Sequence, residues 1–516
     1  MPSTTRDSTA LLPSRRRIWL RAMAAFVAVV LLVGCGSSGA QVCIEVDGQT
    51  TCAATEARVA YECVRDAGIE LGPKDRIEPD YWAPIAPGMT LRVVRVEQVQ
   101  ETEQRAVPFT RRQVKTLGLD EGERRILQSG REGIEEDVFL VTLEDGVRVS
   151  REFVGTRLVT PPQDEVVAVG LTRSGQEVEF AGTVAYLVQG NAWVMRGAAR
   201  AERPLTTTGD LDGRVFELSP DGRTLLFTRR DESSPEALNS LWAVTTEVVG
   251  AEPEPLGVTG VLRARWSPDG TRIVYTRGEG TEGSPGWRAL NDLWVMDWTG
   301  AREPTQIKGT ACPGAYCWWG VELAWRLNSD GSRVLVADPS SVSEVSGDGT
   351  VRPLVSFEPP PTGADWVWVP ELSSHPAGAY AALVLPGDRF DLVVMDLADG
   401  SVLPLIEGVG MWARPRYTPP GAGDVRLAYA VADDPQASAG SPYTVWAADS
   451  DGSEARRVYP AVGPGTGIQE FTWALDGYLL VASEAGLYLC AVDTGEVRPL
   501  LEGLAVMRVQ WAPLEQ

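Results

Sequence analysis

One tight turn in the second half of the chain constrains its fold most. In Leu262–Arg277 (LRARWSPDGTRIVYTR) a strand ends at Trp266, Ser267–Gly270 turn the chain, and a second alternating strand follows. Proline fixes φ, aspartate hydrogen-bonds to the local backbone, and glycine adopts the positive φ that such a turn needs. The segment therefore predicts a β-hairpin.

The hairpin recurs at regular intervals. Related segments read FELSPDGRTLLFT (216–228), WRLNSDGSRVLV (325–336), YTPPG (417–421) and WALDGYLL (473–480). Successive turns are 43 to 61 residues apart, counted between their closing glycines: Gly222, Gly270, Gly331, Gly378, Gly421 and Gly477. This spacing is the period of a β-propeller blade, so residues 183–516 are predicted to form a propeller.

The two ends of this region complement each other. Thr183–Leu205 reads as the second, third and fourth strands of a blade, and Met507–Trp511 reads as a lone first strand. A C-terminal strand that completes the first blade closes the ring and removes its free sheet edges. This count gives seven blades, and six is the alternative because the fourth blade lacks a clear third strand. The repeats resemble the WD-like repeats of TolB-type propellers, a resemblance that implies a fold rather than a function.

The first residues follow a targeting pattern. Arg15–Arg17 and Arg21 precede an apolar run, Ala22–Val33, that is too short to span a bilayer. The run leads into Leu-Val-Gly-Cys ending at Cys35, which resembles the lipobox of bacterial lipoproteins; an ordinary signal peptide is the alternative. The resemblance implies removal of residues 1–34, diacylation of Cys35 and a membrane-tethered protein in the cell envelope or at its surface.

Residues 35–91 are predicted to be a tether followed by a small α/β module. Glu56–Ala67 carries apolar residues on one helical face and is followed by a glycine, so it predicts a helix. Gly68–Val96, with its "GPKDRI" turn and "PGMTLRV" strand, resembles the small domain that precedes G-five domains in resuscitation-promoting factors. The module is thus expected to lead directly into such a domain.

Two pairs of cysteines are candidates for disulfides outside the cytoplasm. A hairpin that turns midway between Cys43 and Cys52 places them opposite each other, within bridging range. Cys63 is predicted to be a buried residue, although it could compete for either hairpin cysteine. Cys312 and Cys317 have the spacing of a small disulfide loop, and a metal site there is not expected because no histidine lies near.

Residues 92–172 show long alternation of polar and apolar residues around a hairpin turn at Glu144–Gly146, which predicts an elongated antiparallel sheet. The segment resembles the G-five domain over almost its full length. The five glycines of that pattern are Gly122, Gly130, Gly133, Gly146 and Gly170. The resemblance implies a surface or cell-wall protein that binds peptidoglycan or another N-acetylglucosamine glycan, or else a spacer. Residues 173–182 are predicted to be a linker.

The inner strands hold candidate ligand-binding residues. The residue that ends each first strand serves as an anchor for counting; the anchors are Trp266, Trp325, Tyr417, Trp473 and Trp511. Positions one and three before each anchor share one strand face, and Glu371 lies near the matching place in the fifth blade. The set is Arg263, Arg265, Glu322, Glu371, Arg414, Arg416, Glu470 and Arg508. If that face borders a central channel, clustered arginine in an acidic chain indicates an anionic ligand. Mutual salt bridges that close the channel are the alternative.

Three aromatic residues beside the predicted disulfide loop, Tyr316, Trp318 and Trp319, are candidate contacts at the rim of the propeller. Such rings could bind a sugar or a partner protein. The alternative is that they pack beneath the loop.

Charge and histidine content exclude several classes of function. A formal net charge of −23 argues against nucleic acid as a partner. The single histidine, His375, is predicted to lie in a turn, so mechanisms that need two histidines are excluded. We therefore expect no catalysis, metal or cofactor, but a binding or scaffold protein whose propeller holds a protein, peptide or glycan. The rivals are a lyase or glycosidase that uses glutamates of the channel, and a TolB-like component of an envelope complex.

Overall fold

The computed structural model forms two compact units, and its architecture is mainly β. The first unit holds the chain up to Val107 together with Gly133–Pro161, and the second holds Pro108–Glu132 together with Pro162–Gln516. The residues that the structure describes are 39–116, 119, 122–170, 179–199, 202–231, 237–282, 285–300, 302–310, 318–327, 332–360, 366–387, 389–474 and 477–513.

The first unit begins with the small α/β module. Its elements are β1 (Ala40–Val46), β2 (Gln49–Thr55), α1 (Ala60–Asp66), β3 (Arg76–Glu78) and β4 (Thr90–Val94), and the sheet order is β2-β1-β4-β3. Cys43 and Cys52 face each other across the β1–β2 hairpin and form the expected disulfide. The helix begins four residues later than predicted because Val59 pairs with Pro84 in a β-bridge. Cys63 is a free, buried cysteine of the module's core.

The next six strands make two separate sheets. They are β5 (Val96–Val107), β6 (Arg111–Thr116), β7 (Arg124–Gln128), β8 (Gly133–Glu144), β9 (Val147–Thr160) and β10 (Glu165–Gly170). In the first unit β5, β8 and β9 form an antiparallel sheet, whereas in the second unit the order is β6-β10-β7 with β6 parallel to β10. The prediction of one antiparallel sheet was therefore wrong. Prolines at 108, 161 and 162 follow β5 and β9, and proline cannot donate to a strand ladder, so the chain leaves the first sheet there.

Gly130 is one of the five glycines of the pattern, and the structure gives a packing reason for it. A Cβ atom added at Gly130 would overlap the ring of Phe109 within the second unit. We expect Gly130→Ala to destabilise the protein by about 2 kcal/mol, the usual cost of overpacking. Urea unfolding measures this. Gly155→Ala, where a Cβ would meet no atom within 4 Å, is the control. Equal unfolding midpoints for the two variants would contradict the packing explanation.

The rest of the second unit is built from short strands. They are β11 (Glu179–Val188), β12 (Asn191–Ala198), β13 (Arg203–Pro204), β14 (Leu211–Leu218), β15 (Thr224–Arg230), β16 (Asn239–Thr245), β17 (Glu254–Thr259), β18 (Val261–Trp266), β19 (Arg272–Gly280), β20 (Trp287–Ala289), β21 (Leu293–Asp297), β22 (Pro304–Lys308), β23 (Glu322–Trp325), β24 (Arg333–Ala337), β25 (Ser341–Ser346), β26 (Val351–Ser356), β27 (Leu372–Ser374), β28 (Tyr380–Leu385), β29 (Asp391–Asp396), β30 (Val402–Ile406), β31 (Arg416–Tyr417), β32 (Arg426–Ala432), β33 (Tyr443–Asp449), β34 (Arg456–Tyr459), β35 (Ile468–Trp473), β36 (Tyr478–Ser483), β37 (Gly486–Ala491), β38 (Val497–Glu502) and β39 (Arg508–Ala512).

These strands form seven antiparallel sheets in the described part of the unit. Six sheets follow the chain: β14–β17, β18–β22, β23–β26, β27–β30, β31–β34 and β35–β38. The seventh has the order β13-β12-β11-β39, so the C-terminal strand completes it as expected from the sequence. The fourth repeat does have a third strand, β25. Its sequence SVSEVS was missed because four of its six residues are serine or glutamate, where the other repeats have runs of apolar residues.

The first strands of neighbouring sheets contact one another in turn. The series runs β39, β14, β18, β23, β27, β31 and β35, and β35 contacts β39 again. Apolar side chains fill the space between adjacent sheets, as in the cluster that joins strands β11 and β12 to β36–β39.

A buried ion cluster links two of the sheets. Glu344, only 2% exposed, lies 2.6 Å from Arg326 and 2.5 Å from Arg352. Burial alone would raise the pKa of Glu344, but the hydrogen bonds from these two guanidinium groups hold that pKa below its ordinary value. Arg326 and Arg352 also donate to the carbonyls of Gly378 and Leu397 in the next sheet, so the cluster fixes the two sheets together.

Candidate ligand-binding site at the inner strands

The first strands surround a cavity of about 290 Å³. All eight charged residues that the sequence placed on the inner strand face line it: Arg263, Arg265, Glu322, Glu371, Arg414, Arg416, Glu470 and Arg508. They come from strands β18, β23, β31, β35 and β39 and from the residues that lead into β27 and β31. The spacing relative to the turn therefore brings residues that are far apart in sequence into one site, because a strand's side chains alternate between its two faces.

Two further charged residues line the cavity, and sequence reasoning missed both. Glu217 stands one residue before Leu218, which is the place the spacing rule selects, but Leu218 is not aromatic and was not used as an anchor. Arg214 stands four residues before Leu218, outside the rule. The pairing of β14 with β15 shifts register between Leu211 and Phe216, and this irregularity carries Arg214 to the cavity.

Ion pairs join most of these side chains. Arg263 Nε lies 2.5 Å from Glu322 Oε1, and Arg416 Nη2 lies 2.6 Å from Glu371 Oε2. Arg414 Nε is 3.4 Å from the other oxygen of Glu371. The remaining pairs among these glutamates are Arg265 with Glu217, Arg265 with Glu322 at 3.8 Å, and Arg508 with Glu470 at 3.9 Å. Salt bridges across the strands are thus present, but six arginines meet only four glutamates in the lining.

The electrostatic environment of the cavity keeps Glu371 and Arg263 in their charged forms. Burial alone would raise the pKa of Glu371, but Arg416 and Arg414 lower it to about 2. Glu322 raises the pKa of Arg263. Burial lowers the pKa of Arg265 and of Arg214 from the high value that is ordinary for arginine. The lining therefore keeps a formal excess of two positive charges near neutral pH.

Tryptophan rings form the apolar part of the wall. Trp287, Trp319, Trp368 and Trp412 line the cavity, and the rings of Trp287 and Trp319 meet edge to face with centroids 5.9 Å apart. Of the predicted rim aromatics, Trp319 thus belongs to the cavity wall, whereas Trp318 is 46% exposed and is not among the lining residues. Tyr316, Cys312 and Cys317 lie outside the described residues, as does Cys35.

The described residues contain no group of three histidine, cysteine, aspartate or glutamate side chains placed to hold a metal ion. His375 lies in the predicted turn, where its Nδ1 accepts a hydrogen bond from the backbone N–H of Ala377 at 3.0 Å. Burial lowers the pKa of His375, and the residue is not part of the cavity lining. In the described chain, α1 and the other helical turns are all too short to cross a bilayer.

Comparisons with known proteins add the following. Residues 98–172 match the family model of the G5 domain. Among solved structures, TolB from Acinetobacter baumannii is 15% identical, with 64% of this chain and 77% of that chain covered and a TM-score of 0.35. An acylaminoacyl peptidase from Pyrococcus horikoshii is 14% identical over 60% of this chain and 47% of its own length, with a TM-score of 0.40. The G5 domain of IgA1 protease is 25% identical over 16% of this chain and 94% of its own length, with a TM-score of 0.14. The residues that form β5–β10 thus resemble G5 domains in sequence.

Proposed function

We propose that the chain is an extracytoplasmic binding protein, held at a bacterial membrane through acylated Cys35, and that its seven sheets are the blades of a seven-bladed propeller. The closed series of contacts between first strands, in which β39 links β35 to β14, supports the blade count. The signal-like start of the sequence supports the location. A propeller of this kind presents its inner strands to a ligand at the middle of the ring.

The observation that carries the proposal is the cavity itself, where charged and aromatic side chains from all the inner strands converge. Sites with an aromatic wall and a few placed charges are typical of ligand binding. Binding suits the site better than turnover does. A general acid needs a raised pKa, whereas the arginines hold the pKa of Glu371 at about 2 and pair with the other glutamates.

The G5 segment is assigned contact with the cell wall in this proposal. The match over residues 98–172 and the predicted location support a glycan that contains N-acetylglucosamine, such as peptidoglycan. A spacer that carries the propeller away from the membrane is the other role. The two roles differ in one measurable property, which is whether the protein binds isolated cell wall.

Co-sedimentation with purified sacculi tests wall contact. The chain from Gly36 onward is used, because the segment of the G5 match is shared between the two compact units and cannot be cut out cleanly. We expect most of the protein to pellet with intact sacculi and to stay in solution when the sacculi are first digested with a muramidase. If the protein stays in the supernatant with intact as well as with digested sacculi, the G5 segment does not bind the wall and acts as a spacer.

The lipid anchor makes a separate prediction. Replacement of Cys35 by serine removes the thiol that would carry the acyl chain, and we expect at least a tenfold fall in the membrane-bound fraction, since the acyl chains supply the anchoring energy. Detergent phase partitioning and metabolic labelling with a fatty acid measure the change. Ser37→Ala is the matched control. An unchanged membrane fraction for Cys35→Ser would rule out this anchor.

A further inference from the structure

We propose that Arg214, Arg263 and Arg508 form a subsite for an oxyanion group of the ligand, that is, a carboxylate, phosphate or sulfate. The inference rests on the proposed function, because it specifies the chemistry of the ligand in the same cavity. It goes further in naming which side of the cavity holds the charged group. One of the two excess positive charges is located there, because Arg263 and Arg508 each pair with a glutamate of the lining and Arg214 does not.

The three arginines stand on three consecutive inner strands, β39, β14 and β18, which contact one another. Nε of Arg508 donates to the carbonyl of Gly213 at 2.9 Å, so this guanidinium lies beside the residue that precedes Arg214. Arg263 is near enough to Arg214 to lower the pKa of that residue. The three cations therefore form one arc of the cavity wall.

Two glutamates of the lining lie at the two ends of the arc. Glu322 is 2.5 Å from Arg263 on one side, and Glu470 is 3.9 Å from Arg508 on the other. Glu470 also accepts a hydrogen bond from the backbone N–H of Val509 at 2.8 Å, which holds its carboxylate against β39 beside Arg508. Glu217, the glutamate of the lining that stands on β14, pairs with Arg265, so Arg214 in the middle of the arc has no glutamate of the lining within 4 Å.

Arg214 is the cation that lacks a partner of matching strength. Its guanidinium makes no hydrogen bond within the described chain, and the closest carboxylate, Asp212, is 3.9 Å from its Nε. Asp212 already accepts hydrogen bonds from Thr228, from Asn239 at 2.8 Å and from the backbone N–H of Arg214 at 3.0 Å. Asp212 is thus engaged at shorter range by three other donors, and the donors of the Arg214 guanidinium remain for a ligand.

The ring of Trp287 holds Arg214 in place. The guanidinium carbon lies 4.7 Å from the ring centroid, a cation–π distance, and the side chain is 27% exposed. A guanidinium that is fixed by stacking loses little freedom when it binds an oxyanion with two parallel hydrogen bonds. Arg414 and Arg416, by contrast, each already contact a carboxylate, that of Glu371.

Isothermal titration calorimetry tests the subsite directly. The chain from Gly36 onward is titrated at pH 7, in a buffer of low ionic strength, with sodium sulfate, sodium phosphate and sodium acetate in separate experiments. We expect saturable binding at one site for at least one of the three anions. The arms distinguish a tetrahedral group from a carboxylate. Heats that do not saturate for any of them would overturn the proposal.

Variants locate the binding. Arg214→Gln should weaken the anion at least tenfold, and Arg214→Lys, which keeps the charge but not the two parallel donors, should weaken it less. Arg302→Gln is the control, since Arg302 also stacks on a tryptophan, Trp298, at 4.0 Å but is not part of the cavity lining. Equal affinity of Arg214→Gln and the parent protein would reject the subsite. If the subsite is rejected but the protein still binds sacculi, the proposed wall-binding function stands without the anion subsite.

Discussion

A chain that ends at Leu504 is expected to lose the folded state of the second unit. The deletion removes β39, which pairs with β11 from Leu187 to Thr183, and it leaves β11 as an open edge. Val506 and Val509 are fully buried in the parent structure. Their loss, with that of buried Ala512, removes about 5 kcal/mol of apolar burial. Domains are typically stable by only about 5–15 kcal/mol, so the rest of the unit cannot absorb this loss together with the strand pairing.

Near-UV circular dichroism and urea unfolding measure the outcome, because buried tryptophans such as Trp473 report on fixed packing. The truncated chain should show a weak near-UV signal and no cooperative transition. A chain that ends at Pro513 keeps all of β39 and is the control. A synthetic peptide of residues 505–513 should restore part of the signal when it is added to the truncated chain. A cooperative transition at the parent midpoint, without the peptide, would mean that β39 does not close the series of sheets.

Much of this architecture could be predicted from one turn motif, and the reason is geometric. A Ser-Pro-Asp-Gly turn fixes the residue at which a strand ends. The positions one and three before that last residue must then share a face of the strand. That is why Arg263 and Arg508, 245 residues apart by number, were assigned to the same wall, which the structure shows. The same logic paired the C-terminal strand with the incomplete first blade.

The parts that could not be predicted depend on departures from regular spacing. Arg214 reaches the cavity only because β14 is irregular, and a register shift leaves no mark in the sequence. The parallel pairing of β6 with β10 joins segments that are separated by β7, β8 and β9, and alternation of polar and apolar residues does not specify a partner strand. Which arginine pairs with which glutamate is likewise a matter of side-chain geometry, not of spacing.

The second large effect is expected at Glu371, which lies between two arginines of the cavity. Its carboxylate is 2.6 Å from Arg416 and 3.4 Å from Arg414, and its side chain is 27% exposed. Glu371→Gln keeps the shape of the side chain but leaves both cations without a counter-charge. Breaking a buried ion pair on one side is strongly destabilising. A pKa of about 2, against an ordinary value of 4.5, corresponds to about 3 kcal/mol of stability at neutral pH.

The pH dependence of this loss identifies its origin. Because the pKa of Glu371 is lower in the folded protein than in the unfolded chain, its contribution is complete above about pH 5 and disappears as the pH falls toward 2. The difference in unfolding free energy between the parent and Glu371→Gln should therefore be constant from pH 5 to 8 and shrink below pH 4. Urea unfolding at pH 7 and pH 3 measures it.

A matched control separates this effect from the general cost of removing a carboxylate. Glu496 is paired with Arg498 at 2.8 Å on the surface, where solvent screens the pair, so Glu496→Gln should unfold at nearly the parent midpoint at both pH values. If Glu371→Gln behaved in the same way, or if its loss did not change between pH 7 and pH 3, the pair with Arg414 and Arg416 would not hold the inner strands together. In that case the apolar packing between the sheets alone would stabilise the arrangement of the inner strands around the cavity.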